Sequence, residues 1–73
     1  MVTKMTMNPE IQRRGVMSEA RRKLRMTQLA LSRRVGCTES LVTKIETGRA
    51  TPAQWLKEAI ARELNIQTWE VGQ

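Results

Sequence analysis

The sequence predicts an all-α domain of about five short helices and no strand. Three observations predict it. The 73 residues include no Phe, no Tyr and only two Trp, so any core must be built from Leu, Ile, Val, Met and Ala. That palette suits short packed helices better than sheets, which favour β-branched and aromatic residues. Apolar residues recur at intervals of three and four, as one face of a helix requires. Helix-starting Thr or Asn and helix-ending Gly or Asn bracket the periodic stretches. A chain of this length supports one compact domain with a small core. The expected organisation is a flexible N-terminal arm at residues 1–7 and a single domain over residues 8–73.

Asn8-Pro9-Glu10 offers a cap, a Pro suited to a first helical turn and an acid near the positive helix end. Ile11 follows, and Met17, Ala20 and Leu24 then form one apolar stripe. Gly15 weakens the middle of this segment, so the start of the first helix stays open between Asn8 and a point near Gly15 or Ser18. Thr27 caps a short helix from Gln28 to Arg34, with Leu31 and Val35 facing inward. Gly36 ends it by taking the left-handed conformation that other residues resist. Thr38 caps the next helix, whose apolar side is Leu41, Val42 and Ile45 and whose end is Gly48. Thr51-Pro52-Ala53-Gln54 reads as a capping box with Pro at the first helical position. The helix it opens carries Leu56, Ile60 and Leu64, with Ala59 and Ala61 beside them and Asn65 as terminator. Gln67 to Val71 adds a last helical turn.

Thirteen Lys and Arg against seven acidic residues give a net charge of +6. Eleven of those thirteen cations lie in residues 1–50, with only four of the acids. A basic front and a near-neutral back is the electrostatic footprint of a polyanion binder, although a merely soluble basic face would look the same. With no His, one Cys and no carboxylate cluster at ligand spacing, neither a metal site nor a cofactor is expected. Cys37 has no partner for an internal disulfide, which points to a reducing compartment. No apolar run reaches the roughly 7 residues of a signal peptide or the roughly 20 of a membrane span, so a cytoplasmic protein without membrane contact is expected. The absence of His and Asp removes the usual acid–base groups, and no enzyme is expected.

The most informative stretch runs from Thr27 to Gly48. Two helices of about eight to ten residues meet at a tight Gly36-Cys37 turn, which forces a steep crossing. Thr27-Gln28, Leu31, Val35-Gly36-Cys37-Thr38, Val42-Thr43, Ile45-Glu46, Gly48-Arg49 and Pro52 stand at strict spacing. This pattern resembles the Xre/Cro family of helix-turn-helix regulators, which includes phage repressors and the controllers of restriction–modification systems. The likeness covers roughly Met17 to Ile66, with Ile60-Ala61 and Leu64-Asn65-Ile66 at the positions of the family's fourth helix. It implies a lambda-repressor-like fold with a recognition helix at about residues 38–47.

The resemblance also implies roles for single residues. Gln28 would touch a phosphate and steady the recognition helix, and Thr38 would cap that helix and meet a phosphate at its positive end. Glu39, Ser40 and Lys44 occupy the base-reading positions, with Thr43 beside them. Lys44 can donate to guanine O6 or N7, Glu39 can accept from cytosine N4, and Ser40 is permissive. Arg49 holds backbone more than it reads sequence. The plainer alternatives are that Glu39 only complements its helix dipole and that Thr43 is a solvated surface residue. Arg21 and Glu46 match a buried pair that locks the first helix to the recognition helix. Arg22, Lys23, Arg25, Arg33 and Arg34 form a basic surround that adds salt-sensitive attraction, or are in part ordinary solvated charges.

Three departures from the family pattern are Ser32 for a small Ala, Leu29 for a polar residue and Lys57 for a Leu. Leu29 and Trp55 are therefore expected outside the core and, with Trp69, are candidates for a homodimer surface. The alternative for Trp69 is that it folds back over the end of the core. The function these readings imply is sequence-specific binding of double-stranded DNA at a palindromic operator, as a homodimeric repressor or autoregulator. A chain this short has no room for a sensing domain, so control through its own concentration is expected. Activation through RNA polymerase contact is a variant of the same reading. The competing class is a protein-interaction module, an anti-activator or adaptor that keeps the fold without binding DNA.

Overall fold

The computed structural model describes residues 15–72. The expected arm at residues 1–7, the Asn8-Pro9-Glu10 start and Ile11 lie outside the described residues. Four α-helices follow in order: α1 Gly15–Lys23, α2 Gln28–Val35, α3 Glu39–Glu46 and α4 Gln54–Leu64. A single turn of 3-10 helix, Thr68–Glu70, closes the chain, and no strand occurs among the described residues. The all-helical prediction holds, with the fifth element a 3-10 turn.

Local chemistry starts and stops the two middle helices. Thr27 Oγ1 accepts from the Ala30 N–H at 3.0 Å, and Thr38 Oγ1 accepts from the Leu41 N–H at 3.1 Å. Both hydroxyls thereby satisfy an amide that has no partner within the first turn of its helix. Gly36 ends α2 at φ 83° and sends its N–H back to the Ser32 carbonyl. Two residues separate this glycine from Glu39, so α3 leaves α2 almost at once. Gly48 follows α3 at φ 79°, and the Arg49 N–H returns to the Lys44 carbonyl at 2.7 Å. Asn65 ends α4 in the left-handed conformation at φ 59°, as its position predicted.

One buried cluster draws on all four α-helices. Met17 comes from α1, Leu31 and Val35 from α2, Val42 and Ile45 from α3, and Leu56, Ile60, Ala61 and Leu64 from α4. Val71 enters after the 3-10 turn and completes it. The core contains no aromatic side chain, and both tryptophans are exposed. Val71, and not Trp69, covers the end of the core; Trp69 is 70% exposed, so it does not fold back. Ser32 is buried where a small residue was expected, and its hydroxyl donates to the Leu29 carbonyl at 2.7 Å, which removes the cost of burying it.

Two local expectations need correction. Leu24 does not continue the Met17–Ala20 stripe, because α1 ends at Lys23 and the chain turns there. Leu24 is left half exposed, beside Val16, Leu64 and Ile66 on a shallow apolar groove. The Thr51–Gln54 capping box does not form. The N-cap of α4 is Ala53, without a side-chain bond, so Pro52 stands ahead of the helix. The Gln54 amide donates instead along the helix to Glu58 at 3.0 Å.

The two leucines of α2 test this packing. Leu31 is fully buried, and Leu31→Ala should cost about 2–5 kcal/mol in denaturant unfolding. Leu29, only two residues away, is 40% exposed, and Leu29→Ala should cost less than about 1 kcal/mol. Equal losses would contradict the assigned face of α2.

Candidate nucleic-acid interface

The face of α3 turned away from the core carries Glu39, Ser40, Thr43 and Lys44, all exposed. Their spacing explains the grouping, since residues three and four apart share one side of a helix. The opposite side is Val42 and Ile45, both fully buried, with Leu41 half-buried at the edge. Thr38 stands at the N-terminus of this helix and Arg49 just past its C-terminus, both exposed. All seven expected site residues therefore lie on α3, at its two ends, or against it. Thr47 also turns outward, with its hydroxyl donating back to the Thr43 carbonyl at 2.9 Å.

What holds α3 in place is polar as well as apolar. Glu46, the last residue of α3, projects a nearly buried carboxylate between α1 and α2. Arg21 of α1 donates Nε to its Oε2 at 2.7 Å and a terminal nitrogen to Oε1 at 3.3 Å. Ser18 of α1 donates to Oε1 at 3.0 Å, and Gln28 of α2 donates Nε2 to the same oxygen at 2.9 Å. Arg21 spends its remaining terminal nitrogen on the Met26 carbonyl at 2.7 Å. Burial alone would push the Glu46 carboxyl up. The hydrogen bonds from Arg21, Gln28 and Ser18, with the Arg21 charge, outweigh it and hold the group below its ordinary value.

The Arg21–Glu46 lock thus forms as the motif implied, but it is larger than a pair. Ser18 and the Gln28 amide belong to it, and sequence reasoning missed Ser18. Its only signal was a small polar residue three positions before Arg21, on the side of α1 that faces α3. Gln28 reaches α3 twice, because its Oε1 also accepts from the Thr43 hydroxyl at 2.8 Å. Its amide therefore steadies α3 and keeps one N–H uncommitted within these contacts.

The electrostatic surroundings are basic. Arg22, Lys23 and Arg25 are exposed at the end of α1, and Arg33 at the end of α2. Arg34 is exposed too but lies 3.5 Å from Glu63, a contact of little energetic weight at the surface. Cys37 is half-buried in the turn, where burial pushes its thiol up from its ordinary value. No cluster of metal-ligating side chains occurs among the described residues. No helix among them is long and apolar enough to cross a membrane.

Two short helices joined by a glycine turn, the second turned polar side out from a basic body, define a helix-turn-helix domain of the DNA-binding class. The chain belongs to the helix-turn-helix domain family, whose model matches residues 16–68. No curated protein and no solved structure matches it.

The carboxylate at the centre can be tested by pH. Glu46→Ala strands the shielded Arg21 and should cost about 3–5 kcal/mol at neutral pH. Because the native carboxyl is lowered, its contribution is complete above the unfolded value of about 4.3 and is lost as pH falls through the native one. Unfolding curves from neutral to strongly acidic pH should show the two proteins converging only in acid. A gap that stayed constant across pH would contradict the assignment.

Proposed function

We propose that this protein is a sequence-specific transcriptional regulator of the Xre/Cro type, a repressor or autoregulator that binds a palindromic operator with α3 in the major groove. The observation that carries this reading is the outward face of α3. Glu39, Ser40 and Lys44 are exposed, and their side chains take no part in holding the fold together, while the other face of the same helix is buried. A groove-reading helix needs that division, with side chains free to meet base edges on a helix that cannot rotate.

On this reading Lys44 donates to guanine O6 or N7, Glu39 accepts from cytosine N4, and Ser40 makes a permissive contact. Thr38 and the uncommitted N–H of Gln28 meet phosphates beside the groove, and Arg49 grips the backbone past the end of α3. Two copies would occupy half-sites about 10 bp apart, one helical turn. Leu29, Trp55 and Trp69 are large apolar side chains left 40%, 59% and 70% exposed, and they are the candidates for the contact between copies.

Selection of bound fragments from sheared genomic DNA, with footprinting at two salt concentrations, tests the proposal. A short protected palindrome that survives the higher salt is the expected result. Lys44→Ala should then change which sequences are retained. Arg49→Ala should weaken all sequences alike and reduce the salt slope by about one. Binding that disappears uniformly with salt and protects no site would overturn the reading in favour of a protein-interaction module.

A further inference from the structure

The hydrogen bonds around Gln28 have a direction, and that direction reaches the surface. Glu46 is a carboxylate paired with Arg21 at 2.7 Å, so each of its oxygens can only accept. The group facing it from Gln28 at 2.9 Å must therefore be the NH2 end of the amide. A flipped amide would set its carbonyl oxygen against an anionic oxygen. With the NH2 fixed inward, the Gln28 carbonyl oxygen is the atom 2.8 Å from Thr43 Oγ1. A carbonyl accepts and never donates, so the single hydroxyl proton of Thr43 lies between the two oxygens. The other acceptor in reach, the Glu39 carbonyl, is farther away at 3.2 Å. Had the proton turned there, two oxygens would face each other at 2.8 Å with no hydrogen between them.

We infer that Thr43 is a specificity-determining residue whose hydroxyl, with its proton committed to Gln28, meets the groove as an acceptor only and selects a base carrying an exocyclic amine. Thr43 stands four residues after Glu39 and three after Ser40, on the outward face of α3. In the major groove the amine donors are adenine N6 and cytosine N4, whereas thymine O4 and guanine O6 and N7 are acceptors. An acceptor-only hydroxyl is matched to the first pair and faces lone pairs on the second. An unconstrained threonine could rotate its proton to suit either. The buried carboxylate thus fixes the polarity of a surface hydroxyl two hydrogen bonds away. This inference rests on α3 being the reading helix.

The probe is a duplex selected by the wild-type protein from a random library. Each adenine in it is replaced in turn by purine, and each cytosine by 2-pyrimidinone, so that only the amine is lost. At one position the replacement should weaken wild-type binding about three- to tenfold, the weight of one hydrogen bond. Thr43→Val should bind the parent duplex correspondingly less well and be indifferent to that replacement. Thr43→Ser, which keeps the hydroxyl, should retain the sensitivity. Gln28→Met removes the carbonyl that holds the proton, so its selected sequences should accept keto bases at the same position. Thermal unfolding of each variant separates these effects from loss of fold. Wild type and Thr43→Val responding alike to every amine removal would overturn the inference while leaving operator binding intact. Failure to select any preferred duplex would overturn both.

Discussion

The position of α3 depends on one buried carboxylate. Glu46 receives four hydrogen bonds from three side chains on two other helices, and its partner Arg21 has all its nitrogens engaged. Apolar packing alone would not fix the helix so closely, because the hydrophobic effect is non-directional and tolerates small slips and rotations. Hydrogen bonds to an ion are directional and stronger than neutral ones, and a missing partner is expensive in a dry site. No buried side-chain nitrogen or oxygen is left without a partner among the described residues. A fully satisfied network of this kind favours one arrangement of the helices over near neighbours.

Around that anchor, the division of labour is economical. Val42 and Ile45 bind α3 to the core, Glu46 sets its rotation, and Thr38 and Gly48 set its ends. Nothing on the remaining face is needed for folding except the Thr43 hydroxyl, which is shared between the support and the surface. Glu39, Ser40 and Lys44 can therefore differ without disturbing the support, whereas Gln28 and Glu46 cannot. On the proposed reading, sequence preference and stability are separable at the first three positions, while the last two belong to the support.

Much of this was legible in the residues. Thr27, Gly36, Thr38 and Asn65 each act through a local rule that needs no tertiary information, and each stands where that rule predicts. The periodic Leu56, Ile60 and Leu64 face the core for the same reason. What failed depended on where the chain turns. Leu24 fits the periodicity of α1 but falls past its end, and Thr51 and Gln54 have the spacing of a cap around a helix that starts later. Ser18 escaped because a small polar residue three positions before Arg21 is a weak signal until its long-range partner is known; Glu46 is 28 residues away. The seven site residues follow from the resemblance and not from any local rule, and the fold brings them to one region around α3.

The most direct measurement is amide and side-chain chemical-shift mapping of the protein titrated with its selected duplex. If α3 reads the groove, the largest changes will fall on residues 38–49 and on the Gln28 side-chain amide, with the Leu31 and Ile60 core nearly unmoved. Changes concentrated instead on α4 and the two tryptophan indoles, with α3 silent, would contradict the account.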